Sequence, residues 1–112
     1  MNIQTEAYQV TYDPNTTIIT YSGSFRLHTP EYTQIIDAIK AASTEADSLT
    51  LDIRELRFLN SSGINMLYKL VVYARDHKEG QLVIRGSQEI PWQKKTLKNF
   101  LKMLPGLDLQ SE

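Results

Sequence analysis

Two adjacent serines lie at the predicted start of a helix, where the backbone would stabilise a phosphate group attached to a serine hydroxyl. The segment Leu49–Tyr73 begins with a short apolar strand, continues through a polar turn and reaches Asn60–Gly63 before an apolar helical run. A helix start presents four unpaired backbone N–H groups and the positive end of the helix dipole, and both favour a phosphate group. Ser61 is therefore a candidate phosphorylation site, and Ser62, which would lie inside the first turn, is a weaker one. Serine at such a position also caps helices, and this second role does not exclude the first.

The helix that follows the serines has residues suited to contact with another protein. At 100° per residue its core face consists of Ile64, Leu67, Val71 and Ala74. Met66 and Tyr73 fall nearly opposite this face, so we predict that both are exposed and available to a partner. Gly63 has no side chain and would let another surface approach closely. Together with Asn60, these residues form the predicted partner-binding surface.

Strands and helices alternate along the chain and must position this helix. Two strands, around Tyr8–Tyr12 and Thr17–Tyr21, are joined by turn residues, and the later strands Leu49–Ile53 and Leu82–Ile84 each precede a helix. The predicted order is β-β-α-β-α-β-α, with a further short strand near Leu107–Leu109. We expect an α/β fold in which residues 1–112 form one domain with a mixed, mostly parallel sheet of four to five strands and three or more helices. Ligands and partners usually bind such sheets at the carboxyl edge, where the serines would lie.

The composition and the absent motifs exclude several classes of function. The 112 residues carry a formal net charge of −1, so we expect no binding to nucleic acid and none to a membrane. The chain has no cysteine and Met1–Tyr12 lacks a signal-peptide pattern, which favours a cytoplasmic location. His28 and His77 do not have a metal-ligand spacing, and no P-loop, nucleophile elbow or dinucleotide-binding motif is present. We therefore expect no metal, no cofactor and no enzymatic activity.

Three parts of the chain resemble the STAS domain, the fold of anti-sigma factor antagonists and of sulfate-transporter cytoplasmic tails. They are Tyr21–Leu27, then Leu51–Ile53 with Phe58–Ile64, and finally Leu82–Gly86. In that family the loop before the helix reads Asp-Ser-Ser-Gly or Asp-Thr-Ser-Gly, and the residue after the aspartate is phosphorylated. The resemblance maps this phosphorylated residue onto Ser61. At the position of the family aspartate this chain has Asn60. Asparagine keeps a side-chain oxygen that can cap the helix but lacks the negative charge beside the hydroxyl.

The resemblance implies a non-catalytic regulatory protein in a partner-switching system of the bacterial type. Its expected partners are a protein kinase or anti-sigma-like regulator, or a phosphatase, and phosphorylation of Ser61 would control the contact. One alternative is a scaffold that works without phosphorylation or associates with itself as a homodimer. The other is a nucleotide-binding domain that holds a phosphate at Asn60–Gly63.

Overall fold

The strands of the sheet lie side by side in the same order in which they occur in the sequence. The computed structural model describes residues 1–80 and 82–112. Its elements are β1 (Asn2–Gln4), β2 (Tyr8–Asp13), β3 (Ile18–Phe25), α1 (Thr29–Ala42), β4 (Leu49–Leu59), α2 (Ser61–His77), β5 (Leu82–Gly86), α3 (Pro91–Met103) and β6 (Asp108–Ser111). Strands β1 to β3 pair antiparallel, whereas β3 to β6 pair parallel. The predicted α/β fold with a mixed, mostly parallel sheet is confirmed, with six strands in the described residues rather than four to five.

Strand β4 is much longer than the sequence predicts. The expected polar turn after Ile53 is wrong, because the chain continues as a strand to Leu59. Pairing with β3 makes this extension stable: Glu55 lies opposite Ser22, although the register shifts on both sides of this stretch. Gly23 of β3 accommodates the irregularity with a φ of 92°, a conformation that side chains disfavour. The extended strand carries the chain directly to the start of α2.

The helices cover one face of the sheet and leave the other face open. From β3 to β6, each strand is added to the sheet on the same side of the strand before it. Right-handed crossovers between these parallel strands then place all three helices on one face. The open face is polar, since Thr20, Asp52 and Arg85 lie side by side on neighbouring strands. Burial raises the pKa of Asp52, but hydrogen bonds from Arg54 and the charges of Arg54 and Arg85 bring it below its usual range.

Helix α3 is attached to β4 by side chains that take the place of a neighbouring strand. Strand β5 pairs with only the first part of β4, so the later carbonyl groups of β4 need other partners. The fully buried side chain of Gln93 supplies them, because its Nε2 donates to the carbonyl oxygens of Ile53 and Leu56 at 2.7 and 3.0 Å. Its Oε1 accepts the backbone N–H of Ser87 at 2.9 Å. The preceding residue, Trp92, also donates its ring N–H to a carbonyl group of β4.

Candidate functional site

Asn60 fixes the start of α2 by hydrogen bonds to two helices and a loop. Its Oδ1 accepts the backbone N–H of Gly63 at 3.0 Å, which caps α2, and the hydroxyl of Tyr32 in α1 at 2.6 Å. Its Nδ2 donates to the carbonyl oxygen of Leu27, in the loop before α1, at 2.9 Å. The Tyr32 hydroxyl, which belongs to a buried side chain, also accepts the Leu27 N–H at 3.3 Å. We refer to Asn60, Tyr32 and Leu27 as the Asn60 clasp.

The Asn60 clasp uses both ends of an amide side chain. The amide oxygen accepts from Gly63 and Tyr32 and the amide nitrogen donates to Leu27, so the opposite orientation of the amide would break the contacts with the Gly63 N–H and the Leu27 carbonyl. A carboxylate at this position could still accept from Gly63 and Tyr32. Its second oxygen, however, would face the carbonyl oxygen of Leu27 without a proton between them. The asparagine that departs from the family pattern is therefore a structural part of the turn before Ser61.

The structure places the two serines differently. Ser61 is the first residue of α2 and is exposed, whereas Ser62 is half-buried. The helix is capped by Asn60 and not by either serine. The Ser61 hydroxyl is therefore accessible to a modifying enzyme, and Ser62 is the less accessible of the two. Phosphorylation of either residue stays a prediction.

Two residues of the predicted partner-binding surface face the protein core instead. The prediction that Met66 is exposed is wrong, because it is only 4% exposed and its sulfur accepts the hydroxyl of Tyr21 at 3.4 Å. Helix α2 packs against α1 as well as against the sheet, so it buries a second side that one apolar stripe does not indicate. Gly63 is also buried, and a Cβ there would collide with Leu59 and lie 2.8 Å from the Tyr32 hydroxyl. Its missing side chain therefore permits close packing within the chain rather than the approach of a partner.

Tyr73 lies near the far end of α2 and does not adjoin the serines. At 1.5 Å per residue, the helix separates it from Ser61 by about 18 Å. The half-buried Tyr73 ring stacks on His77 with the centroids 4.6 Å apart, and Lys40 Nζ lies 4.9 Å from its centroid. A partner contact at Tyr73 stays a prediction.

A shallow groove between α1 and α2 includes Ser62. Its apolar lining consists of the buried residues Tyr32, Ile36 and Met66. Polar residues complete the lining, namely Thr29, Thr33, Asp37, Lys40, Asn65 and Lys69. The charged members are two lysines and one aspartate, so the lining carries a formal net charge of +1.

An exposed aromatic residue lies at the same edge of the sheet, and the sequence reasoning did not identify it. Phe58 is 38% exposed and lies opposite Ser24 at the end of the β3–β4 pair. The guanidinium carbon of Arg26 lies 4.3 Å from the centroid of the Phe58 ring. Alternation from the buried Leu56 would place Phe58 in the core, and only the register shift between Gly23 and Ser24 reverses this, so the sequence carried no local signal for it.

The described residues do not provide a metal site or a membrane span. No group of three or more histidine, aspartate or glutamate side chains in this part of the chain could hold a metal ion. No helix in residues 1–80 and 82–112 is both long and apolar enough to cross a bilayer.

Comparison with known proteins establishes a relationship at the level of fold. No family model matches the chain, and no curated protein matches it. One solved structure that matches is the diguanylate cyclase SiaD in complex with its activator SiaC from Pseudomonas aeruginosa, with a TM-score of 0.70 and 16% identity over 100% of this chain and 99% of the matched chain. SiaC of Pseudomonas aeruginosa matches with a TM-score of 0.68 and 17% identity, over 100% of this chain and 98% of that one. The chain has the fold of SiaC. Membership of the STAS family stays a prediction.

Proposed function

We propose that this chain is a non-catalytic regulatory protein that binds a partner protein at the edge of the sheet where α2 begins. In this proposal phosphorylation of Ser61 controls the binding. The observation that carries it is the exposed Ser61 at a helix start whose geometry is fixed by the Asn60 clasp. The fold gives further support, because SiaC is the activator of a diguanylate cyclase. A diguanylate cyclase is therefore the first partner class to test, while a protein kinase and a phosphatase would write and erase the modification.

Phosphorylation would change the surface while preserving the fold. A phosphoserine carries a charge of about −1.5 to −2 at neutral pH. The positive end of the α2 dipole and the free N–H groups of its first turn stabilise such a charge, so α2 should remain intact. A partner that covers Ser61 would meet an added and partly desolvated charge, which opposes docking unless the partner offers a cation.

The proposal is tested by measuring binding to a diguanylate cyclase from the native host by calorimetry, together with the rate of cyclic dinucleotide synthesis. We expect Ser61→Ala to bind like the unmodified protein and Ser61→Asp to bind at least about 10-fold more weakly, which corresponds to about 1.4 kcal/mol. Asn99→Asp adds the same charge at an exposed position of α3 and serves as the matched control. If Ser61→Asp and Ser61→Ala both bind like the wild type, Ser61 is not the switch.

A constitutive docking module is the second candidate, and the Asn60 clasp favours it. An acidic residue beside the hydroxyl, which the family pattern contains, is absent, and its position is occupied by an amide with a structural role. Mass spectrometry of the protein purified from its native host separates the two candidates. Phosphate on Ser61 supports the switch, whereas a stable partner complex without any phosphate at Ser61 supports constitutive docking.

A further inference from the structure

Phe58 and Arg26 form a surface pair that the fold itself does not require. Phe58 is the more exposed of the two large apolar side chains, Phe58 and Leu101, that the described residues leave exposed. The Arg26 guanidinium lies over its ring at 4.3 Å from the centroid. Stacking on a ring uses the face of a guanidinium and leaves the N–H donors along its edge free for another group. The pair therefore presents an apolar surface and accessible hydrogen-bond donors next to each other.

The charge of Arg26 is not balanced within the described part of the chain. Arg57, a neighbour of Phe58 on β4, is paired with Glu55 at 3.2 Å. Arg26 takes part in none of the ion pairs that the described residues form. An unpaired guanidinium binds a carboxylate through two parallel hydrogen bonds, and arginine and aromatic residues are enriched at the energetic centres of interfaces.

The pair also belongs to the same edge of the sheet as Ser61. The backbone N–H of Asn60 donates to the carbonyl oxygen of Phe25 at 3.3 Å. Arg26 and Ser61 are the next residues on these two neighbouring segments, so one partner surface can cover both.

We infer that Arg26 and Phe58 anchor an acidic segment of the partner protein. A carboxylate of that segment binds the Arg26 guanidinium, and an adjacent apolar side chain covers the exposed part of the Phe58 ring. This inference rests on the proposed function and names the chemistry of its partner. It also gives the modification a target, because a phosphate on Ser61 would repel the same acidic segment that Arg26 attracts.

The test measures affinity for the diguanylate cyclase from the native host, in the reconstituted complex, at two salt concentrations. We expect Arg26→Gln and Phe58→Ser each to weaken binding by about 30-fold, as for residues at the centre of an interface. The wild-type affinity should fall as salt rises, and Arg26→Gln should reduce this dependence because it removes the charge. Arg57→Gln is the matched control, since Arg57 is exposed next to Phe58 on β4 but already forms an ion pair with Glu55. This variant should change the affinity less than about 3-fold. Unchanged melting temperatures of all variants exclude a folding defect.

The two proposals fail in different ways. Binding of Arg26→Gln and Phe58→Ser within about 3-fold of the wild type would overturn the anchor, whatever the effect of Ser61→Asp. If Arg26→Gln and Phe58→Ser both bind the partner weakly but Ser61→Asp binds it like the wild type, the anchor stands and the phosphorylation switch fails. A loss of affinity in Arg57→Gln as large as in Arg26→Gln would also overturn the specific role of Arg26, because it would indicate a general effect of positive charge.

Discussion

Replacement of Gln93 should be among the most damaging single changes at a polar residue of this protein. Its side chain is fully buried and satisfies two carbonyl groups, of Ile53 and Leu56, and one N–H group, of Ser87. Gln93→Leu keeps a side chain of similar size but removes all three hydrogen bonds. Each buried polar group left without a partner costs about 1–3 kcal/mol. Ser87 is half-buried and can recruit water, so the lower end applies to its N–H.

The expected loss in the free energy of unfolding is therefore about 3–7 kcal/mol. That is a large part of the 5–15 kcal/mol of stability typical of a small domain, or roughly 12 °C or more in melting temperature. The measurement is urea unfolding followed by circular dichroism, with the stability change taken from the midpoint and the slope. Gln34→Leu, at an exposed position of α1, is the matched control and should change stability by less than about 0.5 kcal/mol.

A loss below about 1 kcal/mol for Gln93→Leu, with an unchanged slope, would refute the reasoning, because it would mean that the β4 carbonyl groups find other partners. Gln93→Glu gives an independent check. A carboxyl group that faces two carbonyl oxygens must be protonated to donate, so its folded-state pKa should lie above the unfolded value of about 4.3. The variant should then be most stable below that pH and should lose stability as the pH rises through the folded-state pKa.

Two further predictions concern Asn60 and Asp52. Asn60→Asp should keep the cap on α2 but lose the hydrogen bond to Leu27, with a net loss of about 1 kcal/mol in the free energy of unfolding, measured by thermal unfolding. Asn65→Asp, at an exposed position of the same helix, is the control and should lose less. Equal melting temperatures for the two variants would contradict a structural role of the Asn60 amide. Asp52 has a lowered pKa because of Arg54, so its contribution to stability is present above about pH 3.9 and is lost as the pH falls through the folded-state value. Urea midpoints between about pH 2 and 6 should fall less in Asp52→Asn than in the wild type, which also loses the contribution of Asp52.

The sequence predicts the start of α2 correctly because the signals are local. An amide residue before two serines and an apolar run at helical spacing indicate a cap, and Asn60 is the residue that caps α2. The accessible position of Ser61 follows from the same local pattern. Strand β1 is three residues long, too short for the alternation of side chains to identify it, whereas the four-residue β6 overlaps the short strand predicted near Leu107–Leu109. Their place in the sheet comes from pairing with residues that are distant in the sequence.

The sequence by itself determined the order of strands and helices, the parallel arrangement and the candidate serine, because these depend on periodicity, capping and chain connection. The tertiary structure alone decided the exposure of Met66 and of Phe58. Met66 is buried because α1 packs on a second side of α2, and Phe58 is exposed because a register shift between β3 and β4 interrupts the alternation after the buried Leu56. Gln93 and the Asn60 clasp have their roles because chain segments far apart in the sequence bring unpaired carbonyl groups next to them. Such roles depend on which groups meet after folding, and no local pattern contains that information.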